Sequence, residues 1–113
     1  MEHIMKLQPE FYYYMKDGTK EIEIRLNDLK RQKIKIGDTI IFTKEPDNIE
    51  SLKTRVVDLL RYDSFVEMFD TIDISLLADK TYTKEKLIKE LERYYSKEKE
   101  EEYGVLGIKI IKE

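Results

Sequence analysis

The chain has 113 residues, no cysteine and a single histidine, His3, which excludes a disulfide framework, a thiolate nucleophile, zinc knuckles and serine–histidine or cysteine–histidine catalysis. Forty per cent of the residues are charged and the net charge is −3, so any contact with nucleic acid must come from a local basic patch. The length fits one domain, residues 1–113, and the lack of a leader-like start or of an apolar run of about 18 residues points to a soluble, cytoplasmic chain.

"PEFYYYMKDG" places Phe11, Tyr14 and Met15 at i, i+3 and i+4, with Pro9 as a start signal and Gly18 as a stop, which predicts a helix over about residues 8–17. "KEIEIRL" alternates strictly, Ile22, Ile24 and Leu26 against Glu21, Glu23 and Arg25, as a half-buried strand does. A turn at Gly37-Asp38 precedes a second strand near 38–44, and a polar turn around Pro46, Asp47 and Asn48 leads to a third over about 52–62, forming a hairpin. Ser64 and Glu67 have capping-box spacing ahead of the apolar stripe Phe65, Met68 and Phe69, so a short helix begins there. One longer helix is expected from Thr83, through Leu87, Leu91 and Tyr94, to Gly104, and "GVLGIKIIKE" reads as a terminal strand. Strands and helices do not alternate as βαβα, so the expected class is α+β, a small barrel with short helices.

The four glycines match neither a P-loop nor a dinucleotide fingerprint, and the carboxylates form no calcium loop. No metal or cofactor is expected. The residues that invite chemistry are Lys20, Glu23 and Arg25, gathered at the start of one strand. The plainer reading is an exposed Glu–Arg pair with a solvated lysine, contributing about 0–1 kcal/mol. Lys30, Arg31, Lys33 and Lys35 form a basic loop, and Tyr12, Tyr13, Tyr94 and Tyr95 offer aromatic faces, a combination suited to single-stranded RNA. The plainer reading of the tyrosines is that they cover the edge of the core with their hydroxyls in water.

"DGTKEIEIRLND" resembles the G-x-K-x-x-E-x-R signature of the ASCH family, related to the PUA fold of RNA-binding proteins: Gly18, Lys20, Glu23 and Arg25 all match. The resemblance extends to the helix before the motif, to "IKIGDTIIF", "RYDSFVEMF" and the closing "YYSKEKEEEYGVLGIKI". It implies a PUA-like β-barrel whose cleft carries Lys20, Glu23 and Arg25 and binds RNA or a nucleotide. Lys20 would meet a phosphate or a polarised carbonyl, Arg25 would donate a fork of hydrogen bonds, and Glu23 would accept from an exocyclic amine.

In the binding reading Lys33 and Lys35 join the three motif residues. Some relatives are amidohydrolases acting on acetylated cytidine through the motif lysine, a threonine and a distant glutamate. Here Glu23 stands in the threonine's place and Asp79 is only near the position of the distant acid. Others are ribonucleases. If the chain is a hydrolase of either kind, Lys20 would be its base or nucleophile and Glu23 its proton shuttle. Nothing in the sequence demands more than a monomer.

Overall fold

The computed structural model describes all residues, 1–113. In chain order the elements are β1 (Glu2–Leu7), α1 (Pro9–Lys16), β2 (Ile22–Leu26), a 3-10 turn (Arg31–Lys33), β3 (Thr39–Lys44), β4 (Ser51–Tyr62), α2 (Phe65–Thr71), α3 (Ile74–Leu77), α4 (Lys84–Glu92), α5 (Lys97–Tyr103) and β5 (Val105–Lys112). The five strands form one curled half-barrel sheet in the order β1-β3-β4-β5-β2. No helix is long and apolar enough to cross a membrane.

Capping explains most helix starts. Ser64 accepts from the Glu67 amide at 3.1 Å, Thr83 from Lys86 at 3.1 Å and Ser96 from Lys99 at 3.2 Å, each satisfying an amide that the first turn leaves unpaired. The third cap corrects the expected single helix from Thr83 to Gly104. The chain instead breaks after Glu92, where the Leu91 carbonyl accepts from both Tyr94 and Tyr95, and restarts at Ser96. The break lets the Tyr95 ring pack against Phe65 with centroids 5.8 Å apart.

β1 and α3 are further additions to the sequence reading. β1 pairs with β3 in parallel, Glu2 opposite Thr39 through Leu7 opposite Lys44. Only Met5 and Leu7 of its six residues are buried, too short an alternation to announce a strand.

Two cores share the sheet. One, inside the curl, joins Met5, Leu7, Tyr12, Met15, Ile40, Phe42 and Ile108. The other lies between the helices and β2 and joins Ile22, Ile24 and Leu26 to Phe65, Met68, Leu77 and Leu87. At Gly107 of β5 a Cβ would come within 3.2 Å of the Met68 methyl and 3.3 Å of Ile22, so a side chain there would push the helical layer off the sheet.

β2 is therefore covered by helices on its apolar face, while its other face is also withdrawn from water. Ile22, Glu23 and Ile24 are all buried in succession. This overturns the exposed-pair reading of Glu23 and Arg25: alternation marks two faces but does not say that the polar one meets solvent.

Candidate functional site

Gly18 takes a φ of +90°, a left-handed conformation that ends α1 and turns the chain back. The Gly18 amide donates to Met15 and the Lys20 amide to Tyr14, at 3.2 and 2.9 Å, so the turn is anchored on the helix it terminates. That geometry delivers Lys20 into the interior, where its residue is 3% exposed.

The Lys20 ammonium faces three acceptors: the Ile22 carbonyl at 2.7 Å, the Leu77 carbonyl at 2.8 Å and Glu23 Oε1 at 3.1 Å. An ammonium has three N–H groups, and all three are engaged. On its other oxygen, Glu23 Oε2 accepts from Arg25 Nε and pairs with Nη2, both at 2.8 Å. Arg25 Nη2 also donates to the Lys6 carbonyl at 2.7 Å. A continuous chain of charge-assisted bonds thus runs from α3 through β2 to β1, bridging the two edge strands where no backbone ladder joins them.

Burial pushes the Lys20 ammonium below the ordinary lysine range, with Glu23 opposing it. Burial alone would raise the Glu23 carboxyl, but the charges of Lys20 and Arg25 and their hydrogen bonds outweigh it and hold it below the usual range. For Arg25 burial acts downward, and Glu23 more than compensates.

Arg25 Nη1 donates to no protein acceptor. Arg25, with Lys20 and Glu23, lines a cleft of about 280 Å³ between β1, β2 and α4. Apolar walls come from Leu77, Leu87 and Leu91, with the rings of Tyr94 and Tyr95 at one side. Three cations, Lys6, Lys20 and Arg25, are balanced by three carboxylates, Glu23, Glu45 and Glu90. Gln8 Nε2 donates to Glu45 Oε2 at 2.9 Å, fixing that carboxylate at the rim.

The structure brings Lys20, Glu23 and Arg25 together and leaves Lys33 and Lys35 outside: both are exposed and neither lines the cleft. Lys30 and Arg31 line a separate concavity beside β1. Of the four tyrosines, Tyr94 and Tyr95 reach the cleft, Tyr12 is in the core, and Tyr13 accepts from Lys44 at 2.9 Å. Asp79 does not line the cleft and accepts from the Thr81 amide at 2.8 Å within its own turn. Gln8, Glu45 and Glu90 were not singled out from the sequence. They come from three distant segments, each polar and unremarkable in its local pattern.

The ASCH domain family matches residues 5–113. The crystal structure of hypothetical protein PH0355 superposes with a TM-score of 0.88 at 37% identity, covering 100% of both chains. The solution structure of protein PF0455 from Pyrococcus furiosus gives 0.78 at 38% identity, over 99% of this chain and 97% of that one. ZmASCH from Zymomonas mobilis, crystallised as a point mutant, gives 0.61 at 11% identity over 97% of this chain and 67% of its own, a likeness of fold. No curated protein matches the sequence. The motif on β2, the curled sheet and the match over nearly the whole length agree: the chain belongs to the ASCH domain family, with its PUA-like α+β fold.

Proposed function

We propose that the cleft binds a single nucleobase-bearing unit, a nucleoside or one unpaired nucleotide of an RNA, and does so without covalent chemistry. One observation carries this reading: of the three motif residues that line the cleft, Lys20 and Glu23 have their polar groups engaged with each other, with Arg25 and with the backbone, whereas Arg25 Nη1, a planar donor, has no protein partner. A lysine with all three N–H groups bonded has no lone pair to offer as base or nucleophile unless its pairing with Glu23 breaks.

The size and charge of the cleft support the same reading. A volume of about 280 Å³ lies near the lower end of small-molecule sites, which run from roughly 300 Å³. Balanced charge favours a neutral ring over a run of phosphates. Tyr94, Tyr95 and Leu91 offer apolar surface to a planar base, Arg25 donates to a ring carbonyl or nitrogen, and Glu45 accepts from an exocyclic amine. RNA binding is the role often linked to this family, and a base presented by an unpaired strand fits the same walls.

Calorimetric titration of wild type and Arg25→Lys with the four common nucleosides and their 5′-diphosphates tests this. The expected result is binding of at least one nucleoside, no gain from the diphosphate, and loss of affinity in Arg25→Lys. Affinity that climbs with added phosphate, or no binding of any nucleoside or short oligonucleotide, overturns it, and hydrolysis of an acylated nucleoside that stops in Lys20→Ala would replace binding by catalysis.

A further inference from the structure

β1 is an edge strand, and the open side of its backbone has a defined register. The Met1 and Leu7 carbonyls accept from the Thr39 and Glu45 amides on the β3 side. In a parallel ladder a residue that bonds its neighbour turns both backbone groups that way, and the residues between turn theirs the other way. Glu2, Ile4 and Lys6 therefore present N–H and C=O outward. The Lys6 carbonyl follows this rule, accepting from Arg25 Nη2 on the open side. Beyond the strand itself, Glu2 and Ile4 make no backbone bond, so their outward groups are open.

A concavity of about 380 Å³ flanks this edge, lined by Glu2, Ile4 and Met5 on one side and by Lys30, Arg31 and Ile34 on the other. Arg31 has a side chain only 19% exposed, and its Nε–H is buried with no acceptor. Its nearest carboxylate, Asp28, pairs loosely with Nη1 at 3.8 Å. With Asp28 so loosely held, the guanidinium keeps capacity for a second carboxylate. Ile4, at 64% exposure, and Lys30 complete the rim with one apolar and one cationic side chain. The edge has neither proline nor a bulge to deter pairing.

We infer that this groove is a docking site for an extended, acidic peptide segment of a partner protein, which adds as a sixth strand beside β1 and sets a carboxylate on Arg31. Paired donors and acceptors repeating at strand spacing match a peptide backbone. A nucleic-acid strand fits less well, because a phosphate offers no donor to the Glu2 and Ile4 carbonyls. Lys30 and Arg31 outnumber Glu2 on the lining and so favour acidic side chains, and Ile4 favours an apolar residue between them. The groove shares no lining residue with the cleft, and the Lys6 carbonyl, held by Arg25, marks where the open edge ends.

The test uses a fluorescent hexapeptide, Val-Glu-Val-Asp-Val-Glu, its lysine counterpart, and oligo-uridylate, with amide hydrogen exchange read by NMR. The acidic peptide is expected to slow exchange at Ile4 at least tenfold while His3 and Met5, already bonded to β3, stay unchanged. Arg31→Ala is expected to weaken the peptide about tenfold, and Ile4→Pro, which removes only an outward N–H, to abolish binding with the melting temperature of the sheet retained. If Ile4→Pro does not fold, the Arg31→Ala affinity and the alternation at residues 3–5 in wild type still decide. Equal binding of the lysine peptide, no binding of the acidic one, protection of Ile4 by oligo-uridylate in its place, or an Ile4 amide already protected in a dimer of this chain each overturns the inference.

Discussion

The motif on β2 and the loop that follows it are both rich in basic residues, yet they occupy opposite physical regimes. Lys20 and Arg25 are withdrawn from water and share the Glu23 carboxylate, with two backbone carbonyls holding Lys20 and one holding Arg25. Lys33 and Lys35 are exposed and form no ion pair, although they lie only a few residues away. Burial turns a charge into a structural commitment, because a partner lost in the interior leaves the other unsolvated, whereas an exposed charge keeps its water. The first pair lines the cleft and the second lies outside it.

The sharpest way to break this contrast is to remove Glu23. Glu23→Ala leaves two buried cations without their shared partner and is expected to cost about 3–5 kcal/mol of stability in urea denaturation. A loss below about 1 kcal/mol would mean that water reaches the triad and that the regimes are not distinct.

Acid titration sharpens the same point. Glu23 has a folded pKa below its unfolded value of about 4.3, so its contribution is present above that pH and is lost as pH falls through the lower folded value. Wild type should therefore lose stability steeply below about pH 4, and Glu23→Gln should show a flatter profile. Asp38 provides a control outside the cleft. A hydrogen bond from His3 and one from the Lys35 amide hold its carboxyl at about 2. Asp38→Asn should be less stable than wild type at neutral pH and converge with it as pH drops from about 4 toward 2. A constant gap between the two would rule out that linkage.

Arg25→Lys keeps the charge but cannot hold Glu23 and the Lys6 carbonyl while also offering a planar donor to the cleft. Its ligand affinity is expected to fall about tenfold, about 1.4 kcal/mol, and unchanged affinity would remove Arg25 from the recognition surface. The smallest effect belongs to the loop. Lys33→Glu with Lys35→Glu should shift stability by no more than about 0.5 kcal/mol and leave nucleoside affinity untouched. If an RNA strand crosses the loop, the double variant also lowers the salt slope of RNA binding, by about one unit for each lost phosphate contact. An unchanged slope would place the strand elsewhere.

Local chemistry was enough to read much of this molecule. The alternation of Ile22, Ile24 and Leu26, the caps at Ser64 and Thr83, and the turn at Gly18 depend on residues within a few positions of each other, and they appear as strand, helices and turn. The spacing from Gly18 to Arg25 likewise marked three residues that line the cleft. Tertiary packing decided the rest. β1 is a strand because β3 lies beside it, and the helix expected from Thr83 divides because Ser96 caps a second start while Tyr95 packs against Phe65. Glu23 is buried because helices cover one face of β2 and the cleft walls the other, which no alternation along β2 can announce. Gln8, Glu45 and Glu90 join the site from segments tens of residues apart. The sequence alone determined which backbone conformations and which charges were available, since both are set by near neighbours; which of those charges lost their water was decided by the tertiary structure, because desolvation depends on what the distant parts of the chain bring against them.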